Sequence, residues 1–189
     1  SRVFDVPIDQ VTPELRRRVK AMSYGLVYGL SAYGLSQQLS ISAGEAKGIM
    51  ENYFERFGGV KRYLDEVVEQ ARRDGYTSTV FGRRRYLPEL TSDNRIAREN
   101  AERAALNAPI QGTAADIIKV AMLRVDDALR DYASRVLLQV HDELVLEVAP
   151  GELDAVQAIV EREMDKAIEL LVPLEVSAGT GANWEEAAH

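Results

Sequence analysis

The chain has 189 residues, 46% of them hydrophobic and 28% charged, enough to bury a core in one globular domain or two small lobes, and too apolar for disorder. It contains no Cys and only two His, which excludes disulfides, thiolate metal sites and a cysteine nucleophile, and argues against a multi-histidine zinc site. The formal charge is −7, yet cations gather at Arg16-Arg17-Arg18 with Lys20, Arg72-Arg73, Arg83-Arg84-Arg85, and Arg95, Arg98 and Arg103, so an acidic chain keeps local basic surfaces for phosphates.

No apolar stretch approaches the length of a membrane span, and Ser1-Arg2-Val3-Phe4-Asp5 lacks the form of a signal peptide, so a soluble, intracellular protein with no membrane partner is expected. Thr12-Pro13-Glu14 offers a capping hydroxyl, a proline at the first helical position and an acid in the first turn, predicting a helix to about Tyr28. Ser31 can open a second helix. Ser42-Ala43-Gly44-Glu45 is a capping-box pattern opening a third that runs toward Phe57, with Gly58-Gly59 as a break. A fourth helix covers about residues 60–74 and closes at Gly75. Residues 76–81 are rich in β-formers and predict a short strand, followed after Gly82 by a basic turn. Helices are expected over about 93–107, stopping before Pro109, and 113–132. Residues 135–140 and 143–148 make a hairpin, 151–171 a helix and 174–178 a last strand. The expected class is α+β: a helical lobe joined to a lobe with a small antiparallel sheet, the change falling within residues 82–110.

Two segments carry chemistry. In Leu137-Leu138-Gln139-Val140-His141-Asp142-Glu143-Leu144-Val145-Leu146, two adjacent carboxylates sit where one apolar strand turns back into another. Mg²⁺ takes hard oxygen ligands and is commonly held by one or two carboxylates plus substrate phosphates, so the pair points to phosphate chemistry. A solvated acidic hairpin tip is the plainer alternative. In the first helix, Leu15, Val19, Met22 and Leu26 form an apolar stripe, while Arg16, Lys20, Tyr24 and Tyr28 descend the other side over about 18 Å. Two cations followed by two phenol rings suit a nucleotide, phosphates first and sugar and base after. An ordinary surface helix would look similar.

Arg16-x₃-Lys20-x₃-Tyr24-Gly25-x₂-Tyr28-Gly29 resembles motif B of the DNA polymerase I family, also called family A, and Gln139-Val140-His141-Asp142-Glu143 resembles its motif C. Between them Gly82-Arg83-Arg84-Arg85-Tyr86 and the run from Arg103 to Asp116 are similar to two more family segments, in the family's order. Gly179-Thr180-Gly181-Ala182-Asn183-Trp184 with the terminal His189 is similar to its C-terminus.

The resemblance implies template-directed DNA synthesis in replication and repair, with primer–template DNA and deoxynucleoside triphosphates as partners and two Mg²⁺ ions as cofactors in the complete enzyme. It implies a fingers part over 1–90 and a palm part over 91–189 whose small sheet contains the catalytic hairpin, in a bacterial, cytoplasmic and nucleoid-associated protein. Arg16 and Lys20 would hold the triphosphate, Lys20 also neutralising charge as pyrophosphate leaves; Tyr24 would pack on sugar and base, and Tyr28 near the templating position. Tyr rather than Phe at 24 implies ready acceptance of dideoxynucleotides. Arg103, Asn107 and Gln111 would contact the duplex minor groove, His141 would lie by the primer end, and Asp142 would bind metal with Glu143 beside it. For Arg83, Arg84 and Arg85 a solvated basic turn or intramolecular pairing explains the residues as well as contact with DNA does.

The family's motif A aspartate and the fingers histidine that precedes motif B have no counterpart here, so an incomplete fragment is expected: upstream palm, thumb and any exonuclease regions missing, and catalysis by the isolated chain absent. A noncatalytic nucleotide- or nucleic-acid-binding fragment, and a different Mg²⁺-dependent phosphotransferase or nuclease using Asp142 and Glu143, are the competing readings.

Overall fold

Hydroxyl side chains start the first three helices of the computed structural model, which describes residues 6–187. Thr12 Oγ1 accepts from Leu15 N at 3.2 Å ahead of α1 (Pro13–Val27), and Ser31 Oγ accepts from Gly34 N at 3.1 Å ahead of α2 (Ala32–Leu39). Ser42 and Glu45 close the expected capping box ahead of α3 (Ala43–Arg56). Each cap satisfies a donor that the first helical turn leaves without a carbonyl. α4 (Gly58–Asp74) follows after Phe57 alone, so Gly58-Gly59 begins a helix instead of breaking one; it ends at Gly75, whose φ of 77° suits a residue without Cβ.

The chain divides into two compact units, Ser1–Ile110 and Gln111–His189. In the first, Met22 and Leu26 of α1, Leu35 and Leu39 of α2, and Ala46 and Tyr53 of α3 form one core, bordered by Leu30, Ile41, Ile49, Met50, Phe54 and Phe57. Full burial of side chains such as Met22 and Leu35 contributes about 1.5–3 kcal/mol each, which holds α1 by one stripe and leaves its other side outward. A second cluster joins Ala71 of α4 to Leu87, Leu90, Ala101 and Ala105.

β1 (Tyr76–Ser78) is shorter than the sequence predicts because a turn starts at Thr79: Thr79 N donates to Arg83 O at 2.9 Å and Thr79 Oγ1 accepts from Arg83 N at 3.1 Å. The chain then returns as β2 (Arg84–Tyr86), antiparallel to β1, so part of the expected basic turn is a strand. α5 (Arg95–Ala128) runs through Pro109, where two helices were expected. Proline cannot donate to the preceding turn and usually bends a helix. The division between units falls one residue later, at Ile110 and Gln111.

In the second unit, β3 (Arg135–Val140) and β4 (Glu143–Glu147) form the predicted hairpin. Its inner residues Val136, Leu144 and Leu146 pack with Val125 and Leu129 of α5 and Val156 and Ile159 of α6 (Leu153–Asp165). α6 stops six residues before the predicted end, and residues 174–178 are not a strand: among the described residues they have no strand to pair with. A short α7 (Trp184–Ala187) closes the described chain. The expected α+β class stands, with two separate two-stranded sheets. The residues of the expected N-terminal segment 1–5 and the terminal His189 lie outside the described residues. Among the described residues no helix is long and apolar enough to cross a membrane.

Candidate functional site

The outward side of α1 carries the cation-and-tyrosine row. Arg16, Lys20 and Tyr24 are exposed and Tyr28 is half-buried. Lys20 Nζ lies 5.9 Å from the centroid of the Tyr24 ring, and the Tyr24 and Tyr28 rings follow at 6.3 Å with a 32° tilt. Lys20, Tyr24 and Tyr28 therefore form a continuous strip, charge at one end and ring faces at the other, with Arg16 four residues before Lys20 on the same side of the helix. Arg18, two residues from both Arg16 and Lys20, is paired with Glu14 at 3.2 Å, whereas Arg16 and Arg17 have no ion pair among the described residues.

The end of α1 fixes how that strip finishes. Leu30 N donates to Gly25 O at 2.7 Å and Gly29 N to Leu26 O at 3.1 Å, the Schellman arrangement, with Gly29 at φ 75°. The Leu30 side chain folds back over Gly25, and a Cβ on Gly25 would lie 2.6 Å from Leu30 Cδ2. Gly34 of α2 holds the other side of the same leucine: a Cβ there would lie 2.6 Å from Leu30 Cδ1. Both glycines of the Tyr24-Gly25-x₂-Tyr28-Gly29 pattern thus have a steric reason, one a close approach and one a left-handed backbone. A Cβ on Gly29 would also meet Leu106 Cδ1 at 3.1 Å and Arg103 Cγ at 3.4 Å, which brings Arg103 of α5 beside the end of the strip. Leu30 is a structural determinant that motif reading missed; its apolar position between two glycines was the available signal.

Along α5, Arg103 is exposed and donates to Asn100 Oδ1, and Asn107 is half-buried with an Oδ1 that is buried and without a hydrogen-bond partner among the described residues. Gln111 is exposed and is the first residue of the second unit.

The other candidate group sits at the tip of the β3–β4 hairpin. Val140 pairs with Glu143, leaving a two-residue loop of His141 and Asp142. His141 has φ 52°, a conformation His adopts more readily than β-branched residues, and its carbonyl accepts from Gln139 Nε2 at 2.6 Å. His141, Asp142 and Glu143 are all exposed. Neither carboxylate is engaged by a cation or hydrogen-bond donor among the described residues, so both keep their oxygens for a ligand. Hard carboxylate oxygens of this kind fit a divalent cation such as Mg²⁺, but as a partial shell: among the described residues no three His, Asp or Glu side chains gather into a metal-holding group.

The base of this hairpin is tied by Glu152. Its carboxylate accepts from Ala133 N at 3.1 Å, Ser134 N at 3.0 Å and Ser134 Oγ at 2.6 Å, and Ser134 Oγ in turn accepts from Ala149 N at 2.9 Å. The Ser134 hydroxyl and the Ala133 amide hold the Glu152 carboxyl below its ordinary pKa. The run Arg83-Arg84-Arg85 separates in the structure: Arg84 stacks on Tyr76 with Cζ 4.5 Å from the ring centroid, while Arg85 is exposed without an ion pair among the described residues. Hydrogen bonding with Tyr86 raises the Arg84 pKa above its ordinary value.

The family model for DNA polymerase family A matches residues 1–186. The chain belongs to that family. Among family A relatives, the DNA polymerase I of Mycobacterium bovis is 70% identical over 191 aligned positions, covering 100% of this chain and 21% of the relative. The DNA polymerase I of Streptococcus pneumoniae is 51% identical, covering 98% of this chain and 22% of the relative. A solved structure described as the POL domain of Pol1 from M. smegmatis in complex with DNA primer-template and dNTP superposes with a TM-score of 0.98 at 68% identity, over 100% of this chain and 34% of that one. The chain spans about a fifth of the length of these DNA polymerase I relatives.

Proposed function

We propose that the protein to which these residues belong carries out template-directed DNA synthesis, adding deoxynucleotides to a primer 3′-hydroxyl in replication and repair, in the bacterial cytoplasm at the nucleoid. The observation that carries this reading is the α1 strip, in which Lys20 Nζ stands 5.9 Å from the Tyr24 ring and the Tyr28 ring continues the row at 6.3 Å. Its length and order match a deoxynucleoside triphosphate. Arg16 offers a guanidinium fork to phosphate oxygens and Lys20 a point charge that follows the leaving pyrophosphate. Tyr24 and Tyr28 present ring faces to sugar and base.

In this reading 1–90 is the fingers part and 91–189 the palm part. Arg103, Asn107 and Gln111 present donors to minor-groove acceptors that every base pair carries, which checks duplex shape without reading sequence. His141 lies by the primer terminus, and Asp142, with Glu143, holds Mg²⁺. When bound in the complete enzyme, two such ions supply activation of the primer hydroxyl and neutralisation of the triphosphate. The incomplete carboxylate set among the described residues favours a second statement: the isolated 189 residues bind nucleotide or DNA without catalysing transfer.

The test is Mg²⁺-dependent extension of a primed template by these 189 residues and, in parallel, by the complete polymerase. Extension by the complete protein alone is the expected result. Failure of the complete protein to extend would overturn the reading, template-independent turnover would replace it with another phosphotransferase, and extension by the 189 residues would mean that a further group here completes the metal shell.

A further inference from the structure

We propose that the outer face of the β1–β2 hairpin, formed by Tyr76, Arg84 and Tyr86, binds the unpaired template strand, with a base stacked on Tyr86 and a phosphate met by Arg84. The inference rests on the DNA-synthesis reading above and adds to it a surface remote in sequence from both the α1 strip and the acidic hairpin tip.

The face is defined by strand register. Tyr76 pairs with Tyr86 and Ser78 with Arg84, and directly paired residues share a face of a two-stranded sheet. The ring centroids of Tyr76 and Tyr86 are 5.6 Å apart at 59°, and the Arg84 guanidinium lies over Tyr76. The Arg84 guanidinium hydrogen-bonds with Tyr86, and because its five N–H donors lie in the plane of the fork and not toward the ring it stacks on, further donors remain to meet a phosphate oxygen. Tyr86 is 66% exposed, an unusual state for a phenol ring already held in place by neighbours. Because Tyr76 and Arg84 fix the cluster in the free protein, little further ordering is needed when a ligand arrives.

Charge selects the occupant. Residues 76–86 contain Arg83, Arg84 and Arg85 and no Asp or Glu, so cations outnumber Asp74, the one acid whose charge is felt at Arg84, within a chain of net charge −7. Val80 and Phe81 at the turn are 72% and 44% exposed, extending the apolar part of the surface. Cations beside open aromatic faces match a polyanion whose bases are unstacked. A duplex offers phosphates and groove edges but no base faces, so the rings favour a single strand.

Binding of the complete polymerase to two labelled primer-templates, measured by fluorescence anisotropy, tests this. Both share one duplex; one ends blunt and the other carries a 5′ template overhang of about 12 nucleotides, within the usual footprint of a single-strand site. Tyr86→Ala is expected to weaken overhang binding by about 5- to 100-fold, the worth of one stacked base, and to leave blunt-duplex affinity unchanged. Tyr86→Phe keeps the ring face and removes only the hydroxyl partner of Arg84, so it is expected to retain most of the overhang affinity that Tyr86→Ala loses, and Arg84→Ala is expected to lose overhang affinity with a reduced salt dependence. Equal affinities of wild type and Tyr86→Ala for the overhang would overturn the proposal. Equal losses on both DNAs would also overturn it, since a general binding or folding defect produces that pattern, and a loss in Tyr86→Phe as large as in Tyr86→Ala would do the same. Wild-type enzyme that fails to extend the primed template would instead sink the DNA-synthesis reading, so the two failures are separable.

Discussion

The α1 strip and the β3–β4 hairpin tip carry the two groups of side chains on which the proposed function rests, and they are supported very differently. α1 is capped by Thr12, anchored by Met22 and Leu26, and closed by the Gly29 turn, so its outward residues are organised by contacts within the first unit. The hairpin tip is tied at its base by Glu152 and at its turn by Gln139, yet Asp142 and Glu143 meet no cation among the described residues, and Leu137 and Leu138 remain 50% and 53% exposed on the strand beside them. A grip for phosphates and rings can be built from one helix, because the helical repeat alone lines up side chains four apart. A metal shell needs carboxylates converging from separate segments, and one hairpin supplies only part of it.

The contrast can be broken most forcefully at the tip. In the complete polymerase, Asp142→Ala is expected to lower the rate of primer extension by at least about 10³-fold, with a thermal midpoint close to wild type because the side chain is exposed. Single-turnover extension and a melting curve on the same sample would check both halves, and retained extension removes Asp142 from its role. On the strip, Lys20→Ala is expected to cost about 10- to 100-fold in kcat/KM for the incoming nucleotide, the worth of a charge-assisted contact, while binding of primer–template alone is unchanged. Parallel losses in both measurements would mean that the helix, and not a phosphate contact, had been damaged. Tyr24→Phe removes a single hydroxyl from a ring that is 55% exposed and is expected to reduce incorporation of dideoxynucleotides relative to deoxynucleotides. An unchanged ratio in a competition assay would contradict it.

The smallest effect is expected at the hairpin base. Ser134 and Ala133 lower the pKa of Glu152 in the folded chain, so its contribution to stability is full above the ordinary carboxyl range near about 4.3 and fades as pH falls through the depressed folded value. The difference in thermal midpoint between wild type and Glu152→Gln should therefore be largest near neutrality and shrink on acidification. A difference independent of pH would show that the charge of the Glu152 carboxylate is not what holds it to Ala133 and Ser134.

Much of this was legible because the signals are local. Thr12, Ser31 and the Ser42–Glu45 box mark helix starts through bonds that span three residues, and the α1 strip follows from spacing alone. Pro109 misled because its rule concerns the isolated helix, whereas α5 is held on both sides of it by buried Ala101, Ala105, Ile118 and Ala121. The strand character of Arg84 to Tyr86 was hidden because the pairing that creates it depends on a turn at Thr79, which composition reads as continuing strand. Residues 174–178 have strand-like composition, but a strand exists only with a partner. The acidic pair was visible as a pair; the tie from Glu152 to Ser134 crosses 18 residues and left no periodic trace.

The leucine wedged at the α1–α2 corner makes three positions inherit together. Any side chain at residue 25 or 34 collides with a terminal methyl of Leu30, so in a library of variants the tolerance of each glycine is conditional on what stands at 30. Alanine at 25 should force the leucine side chain to shift and should cost less beside a shorter residue, so the penalty of the pair should fall below the sum of the singles. Substitution scores gathered one site at a time would report two independent penalties, at 25 and 34, where the molecule contains one shared contact.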